Sequence, residues 1–152
     1  MAAPTVALLM GSASDGEKVK PAEEILAGMG VEVVKAVISA HRQPEKLREF
    51  VRSAPAEGVE VFIAAAGKAA HLPGVIASMT TLPVIGIPIS SPDLGGLDAL
   101  LSIVQMPRGV PVATVAIDGA VNAALLACSI LALKHEAVAT ALADYRRRLA
   151  EG

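Results

Sequence analysis

Aromatic side chains are almost missing from this chain: they make up 2% of its 152 residues, with two Phe, one Tyr and no Trp. Phe50, Phe62 and Tyr145 are too few to build the exposed platforms on which nucleobases stack. A flavin site or an aromatic cage for a quaternary ammonium is disfavoured on the same ground. Positive charge is not in excess either. Thirteen Lys and Arg face fifteen Asp and Glu, a net charge of −2, so no basic field exists to hold a polyanion and no nucleic-acid partner is expected. The single cysteine, Cys128, cannot form an internal disulfide; it lies in the apolar run Ala123-Ala124-Leu125-Leu126-Ala127-Cys128 and reads as a buried small hydrophobe, which fits a reducing compartment. The three histidines, His41, His71 and His135, are scattered without a zinc-binding spacing, so no metal is expected. No uninterrupted stretch of about eighteen apolar residues offers a membrane span. Met1-Ala2-Ala3-Pro4-Thr5 lacks the charged start and cleavage pattern of a secretion signal, so the expectation is a soluble cytoplasmic protein with no membrane partner.

What the chain does have is aliphatic side chains. With 53% hydrophobic content it can bury a sizeable core, and its length fits a single domain over residues 1–152. A core filled with Ala, Val, Ile and Leu favours closely packed layers of short elements. So apolar a small protein must also hide surface, and oligomerisation is the usual way to do it.

Short apolar runs alternate with amphipathic segments, and Gly, Ser and Pro cluster where each run ends, as in α/β proteins. Thr5–Met10 reads as a strand that stops at Gly11-Ser12-Ala13-Ser14-Asp15, after which Val19, Ala22, Ile25, Leu26 and Met29 recur at helical spacing. A second strand, Val31–Ile38, ends in Ser39-Ala40-His41-Arg42-Gln43-Pro44, with Pro44 where a first helical turn tolerates it. A third, Val59–Ala65, runs into Ala66-Gly67-Lys68-Ala69-Ala70-His71-Leu72-Pro73-Gly74 and a short helix to about Met79. The fourth is Pro83–Ile87, leaving through Pro88 and the loop Ser90–Gly96, and the fifth is Val110–Ile117. Helices are expected over Leu97–Val104, Gly119–Leu133 and His135–Ala150. The Gly119–Leu133 segment is apolar all round, so it should be buried on every side, which in so small a domain points to a subunit interface.

Strands that are continuously apolar rather than alternating argue for a parallel sheet covered on both faces. In such sheets ligands bind beyond the carboxyl ends of the strands, where this chain gathers its polar residues. The first turn, Gly11-Ser12-Ala13-Ser14-Asp15, offers two hydroxyls, a flexible glycine and free N–H groups at a helix start, a generic phosphate cradle. The plainer alternative is that Ser14 or Asp15 only caps the helix. Asp15 suits the hydroxyls of a ribose better than a phosphate, which makes a ribonucleotide a sensible ligand. In the second loop Ser39 supplies a hydroxyl, Arg42 a cation able to grip a phosphate in bidentate fashion, and His41 a group that can move a proton. Alone, each is as readily a surface or structural residue; topology sets this loop beside the first and gives one pocket all three functions. His71 stands among Ala69, Ala70 and Gly74, either as a second acid/base or positioning group or as a hydrogen-bonded structural residue. Gly67-Lys68 is not a P-loop: a glycine five residues before Gly67 and a hydroxyl after the Lys are required, and the chain has Phe62 and Ala69. A nucleotide-sensing, receiver-like module is a non-enzyme alternative, but a receiver needs an acidic residue closing the third strand, and Ala64-Ala65-Ala66 has none.

Together Gly11-Ser12-Ala13-Ser14-Asp15, Ser39-Ala40-His41-Arg42-Gln43-Pro44, Ala69-Ala70-His71-Leu72-Pro73-Gly74, Leu82-Pro83-Val84-Ile85-Gly86-Ile87-Pro88 and Ser102-Ile103-Val104-Gln105-Met106-Pro107-Arg108-Gly109 closely resemble the PurE family of purine biosynthesis, in order and along nearly the whole chain. The resemblance implies a single three-layer α/β/α domain with a central parallel sheet, flavodoxin-like, with an extra C-terminal helix, assembled into a homo-octamer with the Gly119–Leu133 helix at its centre. It implies a mutase that converts N5-carboxyaminoimidazole ribonucleotide into 4-carboxy-5-aminoimidazole ribonucleotide through released and trapped CO2, with neither metal nor ATP. A second branch of the family carboxylates aminoimidazole ribonucleotide with free CO2. Carried over by motif, Ser12, Ser14, Ser39 and Arg42 would hold the phosphate region, Asp15 the ribose hydroxyls, and His41 would be the general acid/base. Ala40, Gly67, Lys68, Ala69, Ala70, His71 and Leu72 would complete the substrate wall, His71 and the small residues beside it enclosing the carboxylate or CO2. The chain departs from the family pattern at Gly16, where many mutases have Trp, and at Lys68, where mutases carry an uncharged residue and the CO2-using branch a cation.

Overall fold

In strand β1 (Thr5–Met10) both faces are apolar: Val6, Leu8 and Met10 point one way, Ala7 and Leu9 the other, and all are buried. That pattern needs cover on both sides, and the computed structural model, which describes residues 2–152, supplies it in three layers. Five strands, β1, β2 (Glu32–Val37), β3 (Val59–Gly67), β4 (Val84–Ile89) and β5 (Ala113–Thr114), form one sheet in the order β2-β1-β3-β4-β5. Every pairing is parallel, and the order is that of the flavodoxin-like folds.

On one face Val6, Leu8 and Met10 pack with Val19, Ala22 and Leu26 of α1 (Gly16–Gly28), Ala123, Ala127 and Leu131 of α5 (Ala120–Leu131) and Val138 of α6 (Glu136–Glu151). On the other, Ala7, Leu9, Phe62 and Ala64 meet Leu47 and Val51 of α2 (Pro44–Ser53), Leu72 and Ile76 of α3 (Leu72–Ala77) and Ala99 and Ile103 of α4 (Leu97–Val104). The α/β/α layering with an additional C-terminal helix is therefore as the sequence implies. Among the described residues no helix is long and apolar enough to cross a membrane.

Three strands differ from the sequence-based expectation by two residues or more at one end, and β3 is one of them, running past Ala65 to Gly67. The fifth strand shrinks from Val110–Ile117 to Ala113–Thr114. Pro111 has no N–H to donate, and beyond Thr114 the chain adds only Val115 N–H to Gly86 O (3.2 Å) before turning in at Asp118. The fourth strand runs two residues further than expected, through Pro88. Pro88 is tolerated because the bonds from Val115 to Gly86 O and from Asp118 to Pro88 O put its ladder position on the β5 side, past the point where β5 has ended. The helix expected to be buried on every side with the help of a subunit interface is buried on one side by its own chain: Ala120, Ala123, Ala124, Ala127, Cys128 and Leu131 face inward. Val121 (37%), Leu126 (36%) and, beyond the helix end, Leu133 (89%) stand exposed, because α1 and the sheet lie to one side only. Cys128 is buried as expected, and burial pushes its thiol up to about 11. His135, to which the sequence assigns no role, closes the α5–α6 joint onto the sheet: its Nε2 is 2.6 Å from Glu60 Oε1, and Lys134 Nζ donates to Glu60 Oε2 at 3.0 Å. Burial alone would raise the Glu60 carboxyl, but these hydrogen bonds from Lys134 and His135 outweigh it and hold the group below its usual value.

Gly86, in β4, marks the tightest helix-to-sheet approach. A Cβ there would collide with Ile103 Cγ2 of α4 and stand 3.1 Å from Val112 Cγ1 and 3.3 Å from Pro73 Cβ. Overpacking of this kind costs about 1–3 kcal/mol, so Gly86→Ala should lower the urea midpoint correspondingly; an unchanged midpoint would show that α4 yields freely.

Candidate active site

The strand register decides which side chains meet. Met10 pairs with Val37 of β2 and with Ala65 of β3, and Ala66 pairs with Pro88 of β4, so four strands end along one edge and their loops open together. Between them lies a cavity of about 520 Å³. It is lined by Gly11, Ser12, Ser14 and Asp15 after β1, by Ser39, Ala40, His41 and Arg42 after β2, by Ala66, Gly67, Lys68, Ala69, His71 and Leu72 after β3, and by Ile89, Ser90, Ser91 and Pro92 after β4. Every residue singled out from the sequence except Ala70 stands in this wall. Ala70 is 1% exposed and packs under the loop, because its N–H turns back to Lys68 O (2.8 Å) and sends the side chain into the core.

In the first loop the capping alternative resolves between neighbours. Ser12, not Ser14 or Asp15, caps the short 3-10 turn Ala13–Asp15, its Oγ accepting from Ser14 N–H at 3.3 Å and lying 2.9 Å from Ser14 Oγ. Asp15 occupies the N-cap position of α1 without a capping hydrogen bond, which leaves its carboxylate to the cavity. Burial pushes that carboxyl above its usual value, an effect that attraction from Lys18 only partly offsets. In the second loop Ser39 Oγ accepts from Arg42 N–H (3.2 Å) and Ser39 O from Gln43 N–H (2.8 Å), a turn that leads into Pro44 at the start of α2 and leaves the Arg42 side chain exposed.

His41 and His71 come together from different loops. His41 Nε2 is 2.6 Å from His71 Nδ1, the rings edge-on with centroids 4.8 Å apart. Such a contact needs one nitrogen carrying hydrogen and the other a lone pair, so the pair holds a transferable proton at the cavity wall. Lys68 takes a left-handed backbone (φ +54°), unusual for a side chain of its size, and its Nζ is 2.7 Å from Asp93 Oδ2 in the loop after β4. The hydrogen bond and charge of Asp93 raise the Lys68 ammonium above its usual value.

Sequence reasoning left Ser90 and Ser91 without a role, although the rule that pointed to the first three loops applies equally to the fourth. Behind them sits Asp118, which accepts from Ser90 N–H (2.9 Å) and Ser90 Oγ (2.5 Å). Burial would raise this carboxyl, but the two Ser90 hydrogen bonds and Lys18 hold it below its usual value. No group of three His, Cys, Asp or Glu side chains converges as metal ligands do, among the described residues.

Residues 5–152 match the family described as AIR carboxylase. Among characterised relatives, the N5-carboxyaminoimidazole ribonucleotide mutase of Pyrococcus abyssi is 56% identical over 143 residues, which cover 94% of this chain and 82% of that protein. The mutase of the same name from Saccharolobus solfataricus is 57% identical over 136 residues, 90% of this chain and 86% of its own length. The crystal structure of Treponema denticola PurE superposes with a TM-score of 0.90 at 29% identity, covering 97% of this chain and 92% of that one.

The raised Asp15 carboxyl has a consequence for stability. A carboxyl whose folded value lies above its unfolded value contributes stability below the unfolded value and loses it as pH rises through the folded one, so at pH 7 ionised Asp15 burdens the fold. Asp15→Asn should therefore keep or raise the thermal midpoint at pH 7, with the advantage shrinking on acidification through the carboxylate range. A midpoint lower than wild type at pH 7 would contradict this assignment.

Proposed function

The chain belongs to the AIR carboxylase family, known also as the PurE family, and on that premise we propose that it is an N5-carboxyaminoimidazole ribonucleotide mutase of purine biosynthesis. The near full-length identity to mutases carries this reading. The cavity agrees with it in kind. Its cations, Arg42 and Lys68, and its serine hydroxyls suit a ligand with a phosphate at one end and a carboxylate at the other, and Asp15 is the one carboxylate in the wall.

In the proposed reaction Ser12, Ser14, Ser39 and Arg42 hold the phosphate and Asp15 the ribose hydroxyls. The carbamate C–N bond breaks, its electron pair returning to nitrogen, which takes a proton from His41, and CO2 is set free. The ring carbon C4 attacks the CO2, and the proton that leaves C4 returns to His41. Protons balance over the cycle, so one histidine starts and ends in the same state and no external base is needed. Ala69 and His71, with Ala40, Gly67 and Leu72 around them, keep the CO2 close and dry, which supplies the effective concentration for recapture. The His71 contact fixes the orientation of His41 before the substrate arrives.

Direct carboxylation of aminoimidazole ribonucleotide by CO2 is the second reading, and Lys68 favours it as a cation near the CO2 end. Its pairing with Asp93 counters that charge within the chain, so the mutase reading stands first. A sensor that binds the ribonucleotide without consuming it is a third possibility, which loss of substrate from solution rules out. We also propose a cytoplasmic homo-octamer. Exposed Leu97, Leu101 and Val104 on α4 and Val121 and Leu126 on α5 leave two helices with apolar outer faces, which favours burial between copies.

Purified protein should convert the carbamate ribonucleotide without added bicarbonate; activity only on aminoimidazole ribonucleotide with high bicarbonate would replace the mutase by the carboxylase. His41→Asn should lower kcat by about 10²–10⁴-fold while retaining ribonucleotide binding, and a normal rate would remove His41 from its role. Light scattering should give the mass of eight chains, whereas a stable soluble monomer would contradict the assembly.

A further inference from the structure

Every polar atom of Ser90 is engaged by the protein. Its N–H and hydroxyl both go to Asp118, at 2.9 and 2.5 Å, while Lys18 Nζ donates to its carbonyl at 3.0 Å and its Oγ at 2.7 Å. Lys18 lies 3.8 Å from Asp118 as well, closing a triangle of α1, the loop after β4 and the turn that leads into α5. Gly96 presses on the same point: a Cβ there would stand 3.1 Å from Ser90 Cα and 2.7 Å from Ile117 Cγ2. Asp118 is itself held with φ +58°, a left-handed backbone that a non-glycine residue adopts at some strain, and its N–H is tied to Pro88 O at 2.8 Å. Four hydrogen bonds, a tight glycine and a strained aspartate fix one serine in the cavity wall.

Because its hydroxyl proton is committed to Asp118, Ser90 has none to offer a ligand. The adjacent Ser91 does: it lines the cavity, its carbonyl closes a turn with Gly95 N–H (3.0 Å), and its Oγ is buried with no hydrogen-bond partner among the described residues. A buried hydroxyl left unsatisfied in an otherwise well-bonded loop calls for a partner, which a ligand in the adjoining cavity could supply.

We propose that Asp118 and Lys18 are positioning residues that clamp Ser90 so that the Ser91 hydroxyl is presented to the bound ribonucleotide. This rests on the ribonucleotide reading of the cavity and adds to it a wall that the first three loops do not supply. Asp118 and Lys18 do not touch substrate; they act through Ser90 and Ser91.

Steady-state kinetics on the carbamate ribonucleotide test the clamp with Asp118→Asn, Asp118→Gly, Ser91→Ala and the Asp118→Asn/Ser91→Ala double variant. Asp118→Asn and Ser91→Ala should each raise KM about tenfold with kcat within about threefold of wild type, the signature of a lost binding contact rather than a lost transition-state contact. Since both act through one hydroxyl, the double variant should show no larger KM than the worse single variant. Asp118→Gly accepts the left-handed backbone without strain but loses the Ser90 hydrogen bonds and the Lys18 pair that stabilise the ionised carboxyl, so it should melt lower than wild type and also show the KM rise. A merely structural Asp118 would give a lower midpoint with unchanged KM, so KM is the discriminating readout. Wild-type KM in both Asp118 variants, or an additive double variant, overturns the clamp while leaving the ribonucleotide reading intact. Absence of turnover by the wild-type protein on either ribonucleotide overturns that reading and the clamp with it.

Discussion

The parallel pairing of β1 with β3 sets Leu9 beside Ala64 and Met10 beside Ala65, so the chain leaves both strands at one height. β2 lies beyond β1 and β4 beyond β3, so the connection from β1 runs to one side and the next strand is added on the other. Loops leaving neighbouring strands in opposite directions part from each other, and the crevice between them is where doubly wound sheets bind ligands. The distances in the site follow from that register. His41 and His71 are brought within 2.6 Å although β1 stands between their parent strands, and Lys18 of α1 reaches Ser90 after β4 across the same opening.

The shortage of rings serves this arrangement. Phe62 is the one aromatic residue fully buried in the core; the sheet centre otherwise mixes Leu8, Leu9, Ile63 and Ile85 with Ala64, Ala65, Ala66 and Gly86, and α4 settles close onto it at Gly86. Small side chains interdigitated at short range give a stiff floor, and a stiff floor can hold loops in conformations they would not choose alone. Two such conformations stand in the cavity wall or just behind it: Lys68 and Asp118 are the two non-glycine residues with positive φ among the described residues. Asp15, half-buried without a capping bond, adds a further unfavourable element at the same edge. Strain and poorly solvated charge gather around the cavity, and the apolar layers on either side hold them in place.

Periodicity located the five strands and the six α-helices among the described residues, because most carry their own apolar face: Val19, Ala22 and Leu26 on α1 are as legible in the sequence as in space. It overreached where the pattern has no local witness. Val110–Ile117 is apolar enough for a strand, yet Pro111 removes a donor and the sheet offers only β4 to pair with. The all-apolar α5 says nothing of which side faces its own chain. In the site, residues grouped within one loop were readable, since topology brings whole loops together. Interactions between distant residues were not. Nothing near Lys68 announces Asp93, and nothing near Ser90 announces Asp118 or Lys18. Ala70 shows the limit within a loop: its neighbours face the cavity while one backbone turn sends it inward.

On the proposed reading, the cavity's charge suits an anion with a labile carboxyl group. Arg42 and Lys68 stand in the wall with Asp15 as the sole carboxylate, and burial works against the ionised form of that one. Lys68 is not a free cation, because Asp93 lies 2.7 Å away, but the pair is 67% and 62% exposed, so water screens it and an incoming carboxylate can compete for the ammonium. A permanently unpaired lysine at that point would hold a product carboxylate too firmly, whereas one already paired in the chain exchanges one anion for another at little electrostatic cost. The same economy applies to the proton. Moving a carboxyl group from nitrogen to carbon neither consumes nor releases protons overall, so the proposed reaction calls for a group that lends one and takes it back. A histidine already sharing a hydrogen with a second ring, at the meeting of two loops that the sheet register fixes, is placed to do that.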